Sequence, residues 1–191
     1  MLNGETVRVI LQYFIMPVWI SAGVADWLCH RSSRIENTTG AKESVLHLLM
    51  LVELGIPVCA ALFLQVNALV LGLLMGALIV HQATALWDLR YAVGVRFISP
   101  IEQQVHSFQE VIPLTGALLI AVLHWDQFLS VFGLGSEPPD FTFRAKEDPL
   151  PPMYVFSALA AVVSLNFLPY LEELWRCERA RQFGAERSHS H

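Results

Sequence analysis

The run ESVLHLLMLVELGIPVCAALFLQVNALVLGLLMGALIVHQATALWDLRYA, residues 43–92, decides the fold. It holds two apolar stretches, about 43–65 and 68–92, parted only by Val66 and Asn67. About 20 apolar residues cross a bilayer core, so each stretch is long enough to span. So short a connection predicts a tight antiparallel hairpin. Three more segments of that length flank it, at about 7–30, 102–124 and 153–174. Ser99-Pro100 marks a helix start before the fourth segment, and Pro149-Leu150-Pro151-Pro152 precedes the fifth. The reading is an all-α integral membrane protein of five transmembrane helices, one domain over residues 1–176. Residues 127–149, with Gly133, Gly135, Pro138 and Pro139, read as an external loop. Residues 177–191 read as a basic, disordered cytoplasmic tail ending Ser188-His189-Ser190-His191.

Composition agrees. Of 191 residues, 54% are hydrophobic and only 15% charged, and the mean hydropathy of +0.50 lies on the membrane side of globular usage. The net charge of −5 and the scattered basic residues exclude a nucleic-acid interface. The cysteines at 29, 59 and 177 form no CxxC pair and predict no disulfide framework. The first apolar stretch is too long for a signal-peptide core and reads as an uncleaved span. No myristoylation or prenylation motif is expected. Counting Lys and Arg on the two sides gives nine against three, with Arg8, Arg144 and Lys146 as the minority. By the positive-inside rule the N-terminus is then outside and the C-terminus cytoplasmic, as in a bacterial inner membrane or its equivalent.

Ionisable groups follow a spacing rule. Asp26/His30, Glu43/His47 and Glu102/His106 each set a carboxylate four residues before an imidazole. On a helix that is one turn, so both side chains point the same way. His81 and Asp88 repeat the pairing over two turns. Four of the five helices thus deliver acids and histidines to one depth band, near the cytoplasmic end, where such groups are costly and usually functional. These eight residues are the expected ligands of a metal-binding bundle. Glu36, Glu53 and Glu110 are candidates for additional ligands, with Glu36 capping the site from the first loop. Tyr91, Trp87 and Trp27 are expected around it. Imidazole with carboxylate suits iron, zinc or manganese, and four acids with four histidines suffice for two divalent ions.

This logic resembles that of the His- and carboxylate-rich di-metal proteins of membranes: fatty-acid desaturases, alkane and sterol hydroxylases, and alternative oxidases. The boxes differ. HxxxH and HxxHH are absent, and the acid–His pairs have one residue more than ExxH. The resemblance implies a di-iron oxidoreductase acting on a lipid or other hydrophobic substrate, with an electron donor as partner. The residues alone leave other readings open. Zinc on the same ligands would activate water for hydrolysis. His47, His81 and His106 also suit a b-type haem, and buried acids suit a metal or proton transporter. Oligomeric state is not legible.

Overall fold

The computed structural model describes residues 3–189, and side chains as far as Gly184. Five helices are long and apolar enough to cross a membrane: Gly4–Ser33, Ala41–Phe63, Ala68–Val93, Pro100–Leu123 and Pro152–Gly184. They are the first to fifth spans below. No β-strand occurs among the described residues. The hairpin predicted over 43–92 is present, turning through Leu64–Asn67.

Local chemistry sets the ends. Asn67 starts the third span by accepting a hydrogen bond from the Val70 N–H at 3.3 Å, and Ser99 does the same for Glu102 at 3.2 Å. The first span stops where Arg34 turns left-handed, with φ 53° and ψ 55°. Gly40, at φ 66°, then lets the chain enter the second span. Two spans contain a π-helical turn, Leu11–Ile15 and Val163–Phe167. Each ends two residues before a proline, Pro17 and Pro169. A proline lacks the N–H and clashes with the carbonyl four residues back, so the preceding turn widens by one residue.

The spans form a ring in the order third, second, fifth, first, fourth and back to third. The fifth is wedged between the first and second. Outward faces are apolar, as at Ile79, Val111, Leu118 and Phe156. The interior at one end is polar, with Asp26, His30, Glu43, His47, Asp88 and Glu102 all buried. The opposite end packs Val66, Val70, Leu71, Leu74 and Ala121. The predicted loop lies over that second end. It opens with a short helix, Trp125–Val131, and is tied to the hairpin by Gln65 N–H to Arg144 O (2.9 Å) and Lys146 N–H to Phe63 O (3.0 Å). The Lys146 ammonium donates to the carbonyls of Ala61 and Leu64, which the end of the second span leaves unpaired.

The expected tail is corrected. Helix runs on from the fifth span to His189, because Glu- and Arg-rich sequence favours helix and pairs Glu178 with Arg181 at 2.8 Å. The Cys177 side chain is buried. Ser190 and His191, the end of the expected Ser-His-Ser-His motif, lie outside the described residues.

Candidate metal centre

Each one-turn pair folds as its spacing requires, with both side chains on the inner face of its span. Asp26 and His30 come from the first, Glu43 and His47 from the second, Asp88 from the third, Glu102 and His106 from the fourth. His30 and His47 lie with ring centroids 4.5 Å apart, and each is about 6.3 Å from His106 (6.3 and 6.4 Å). Three overlapping sets have ligand atoms mutually within 4.8 Å: Asp26, His30, His47 and His106; His30, Glu43 and Glu102; Glu43, His47 and Asp88.

His30 explains the arrangement best. Its Nδ1 is 3.0 Å from Glu173 Oε2. A carboxylate accepts, so Nδ1 carries a proton, and in the neutral imidazole Nε2 then presents a lone pair. That lone pair faces Glu102 Oε1 at 3.5 Å, Asp26 Oδ1 at 3.6 Å and Glu43 Oε1 at 3.8 Å. It is buried and has no hydrogen-bond donor. A neutral imidazole in that position, ringed by three carboxylate oxygens, calls for a cation among them, either a metal ion or a proton on Nε2. Carboxylate–His–metal relays are built this way, the carboxylate fixing the tautomer from behind. Asp26 Oδ1, His47 Nδ1, Asp88 Oδ1, His106 Nε2 and Glu173 Oε1 are likewise buried without partners. His47 Nε2 faces Asp88 at 3.4 Å, and His106 Nε2 faces Asp26 at 3.0 Å.

Charge points the same way. Five buried carboxylates, of Asp26, Glu43, Asp88, Glu102 and Glu173, face one guanidinium, that of Arg96. With neutral imidazoles this leaves four negative charges in excess, which two divalent ions would cancel. Arg96 donates to Glu43 through Nη2 (2.5 Å) and Nε (3.2 Å), and to Glu102 through Nη1 (3.0 Å). Burial favours the neutral form of Arg96. The hydrogen bonds to Glu102 and Glu43, with their charges, outweigh that and raise its pKa above the ordinary value.

Sequence reasoning missed three of these residues. Glu173 pairs with His30 from the fifth span and lies 3.9 Å from His47 Nδ1, so five helices rather than four build the centre. Tyr170, one turn before it, donates to Asp26 Oδ2 at 3.0 Å and stacks on His47 at 5.7 Å. Arg96, a topology charge and a candidate partner for Asp88 in the sequence, instead pairs with Glu43 and Glu102 from the loop.

Other expected residues stand apart. His81 does not join the cluster: its Nδ1 lies 3.8 Å from Glu53 Oε2, deeper in the bundle. Seven residues preserve the helical face but add about 10 Å of height. Glu36 does not cap the site, because Arg176 holds it at the end of the fifth span. Glu110 accepts from Gln82 at 3.3 Å. Tyr91 donates to the Thr39 carbonyl at 2.8 Å, the exposed Trp87 lies beneath Lys42, and Trp27 donates to Glu172 at 3.2 Å. None of the three touches the cluster.

A cavity of about 510 Å³ reaches the centre from inside the bundle. Its walls include His47, Asp88, His106 and Tyr170 at one end and Leu51, Leu54, Val58, Leu62 and Val162 along its length. His30, Glu43 and Glu102 do not line it. Away from the cavity, Arg96 lies against Glu43 and Glu102. A second cavity of about 700 Å³ shares the walls Met16, Trp19, Leu54, Val58 and Leu62 and runs on to Arg8 and Lys146. No protein-family model, curated protein or solved structure matches the chain.

Proposed function

We propose that the chain is a di-iron integral membrane oxidoreductase that acts on a lipid or other hydrophobic substrate at the cytoplasmic side, with electrons from a separate donor. The observation that carries this reading is the orphaned His30 Nε2 among three carboxylates, backed by Glu173. The ligand set of imidazoles and carboxylates suits iron, manganese or zinc. Asp26, His30, His47 and His106 would hold one ion, and Glu43, His47, Asp88 and Glu102 supply the further donors. Iron there would supply oxygen activation for oxidising an unactivated C–H bond.

The access route favours oxidation over hydrolysis. The cavity meets the centre through a largely apolar passage, which suits a hydrocarbon segment and oxygen better than water and a polar leaving group. Around the metals, Glu173 fixes the His30 tautomer and Arg96 offsets the charge of Glu43 and Glu102. Tyr170 holds Asp26 in place through its hydroxyl. A haem is disfavoured, because carboxylate oxygens occupy positions 3.0–3.9 Å from the imidazoles that a macrocycle would need. An ion pathway is disfavoured by the apolar walls that the two cavities share. The nine-to-three excess of Lys and Arg supports placing the centre on the cytoplasmic side.

Elemental analysis tests the reading directly. Purified protein should carry about two iron atoms per chain. His47→Ala and His106→Ala should lose most of it, and His81→Ala should keep it. Metal-free wild-type protein, or equal metal in all three variants, would end the proposal.

A further inference from the structure

Most buried polar atoms that lack a partner belong to the metal centre, but two face each other elsewhere: Nδ1 of His81, a residue of the cavity wall, and Oε2 of Glu53 next to it. They come from adjacent spans and face each other at 3.8 Å, too far for a hydrogen bond. The Glu53 carboxylate does not swing freely. Its Oε1 accepts from the Thr84 hydroxyl at 2.7 Å, which leaves Oε2 facing the imidazole. His81 lines the 510 Å³ cavity, whose nearby walls on the second and third spans are Leu51, Leu54 and Ala85. A built Cβ on Gly55, one turn along that wall, meets no atom within 4 Å.

We propose that His81 and Glu53 form a hydrogen-bonding seat for a hydroxyl group carried on the hydrocarbon body of the substrate. A hydroxyl is both donor and acceptor. It can donate to Glu53 Oε2 and accept from the His81 Nδ1–H, so that one group satisfies both orphaned atoms. A carboxylate headgroup would be repelled by Glu53, and a bare alkane would leave both atoms unpaired. The seat also sets a distance. His81 is seven residues from Asp88 on the third span and Glu53 six from His47 on the second, so both stand about 9–10 Å above the centre. A molecule anchored there presents to the metals a carbon about that far from its hydroxyl.

This specifies the substrate class of the oxidoreductase reading and rests on it for the reaction, although the binding itself does not require metal. Trp19 lines the same cavity and gives a local signal. The probes are a long-chain alcohol dibrominated at mid-chain and the hydrocarbon of the same length, likewise brominated. Quenching that disappears in Trp19→Phe measures cavity occupancy in the full-length, detergent-purified protein. The alcohol should reach half-quenching at roughly tenfold lower concentration, as expected for hydrogen bonds to a charged partner. His81→Leu and Glu53→Gln should each cut that preference to about twofold or less while leaving metal content unchanged. The two variants remove opposite partners of the same group, so one well-folded variant is sufficient. Equal binding of alcohol and hydrocarbon by the wild type, or a preference retained in a folded variant, overturns the proposal. The chelator-stripped protein should keep the preference. A protein that binds no metal but still prefers the alcohol therefore sinks the reaction and leaves the seat standing.

Discussion

Arg96→Met is the most informative single change. The guanidinium is 3% exposed and lies against Glu43 and Glu102 side chains that are 0% and 2% exposed. Its removal leaves two carboxylates buried without their cation and raises the excess negative charge of the centre from four to five. Breaking a buried ion pair by deleting one partner costs about 3–5 kcal/mol. At about 2–4 °C per kcal/mol for a chain of this size, the melting temperature should fall by about 6–20 °C. That loss belongs to the chelated protein. When iron is present the freed carboxylates can turn toward it, so metal should raise the melting temperature more in the variant than in the wild type. Scanning fluorimetry on detergent-purified protein, with chelator and with ferrous iron under nitrogen, gives all four values. A chelated variant melting within about 2 °C of wild type would refute the buried pair, because that corresponds to roughly 1 kcal/mol or less. An equal metal-induced rise in both proteins would refute the sharing of these carboxylates between arginine and ion.

Glu173→Gln keeps the size of the side chain but removes the carboxylate behind His30. Metal affinity, measured by competition with a chromogenic chelator, should fall about 10–100-fold, as for other outer partners of metal-bound imidazoles. Gly23→Ala drives a methyl into the Asn166 amide, which donates to the Ile20 carbonyl at 3.1 Å. Overpacking of about 1–3 kcal/mol should lower the melting temperature by several degrees; an unchanged melt would show that the first and fifth spans are not packed this closely. Pro169→Ala permits the π-turn at Val163–Phe167 to relax to α-helix. That rotates Tyr170 and Glu173 away from the histidines, so metal content should drop more than thermal stability does.

The fold was legible because membrane spans are written in length and apolarity, and residues 43–92 state both with a two-residue turn between them. The one-turn pairs were legible for an equally local reason: four residues on a helix share a face whatever surrounds them. His81 shows the limit of that rule. Spacing of seven keeps the face and says nothing about height, and the cluster occupies only about one helical turn. Glu173 and Tyr170 were hidden for two reasons. They follow a π-turn, so the fifth span does not keep one period, and although both fall inside the expected span, it holds no histidine to pair with an acid. Arg96 was hidden because a position between two spans does not say whether the side chain points to water or folds back beneath them.

The residues missed in sequence change what the centre is expected to do. Four helices with acid–His pairs describe a ligand set open on two sides. Adding the fifth span closes one of them: Glu173 stands behind His30 and His47, and Arg96 lies against Glu43 and Glu102 from the loop. The remaining approach is along the cavity past His106, Asp88 and Tyr170. Under the proposed reading a centre with that approach would receive its reactant from the bilayer, and water would cross a largely apolar passage to reach it. Charged reactants such as phosphates or peptides would lose their hydration on the way with few polar groups on the walls to replace it. Oxygen and a hydrocarbon bearing one hydroxyl lose little. The closed side and the apolar approach thus both favour the proposed chemistry, with a substrate that would enter from within the membrane.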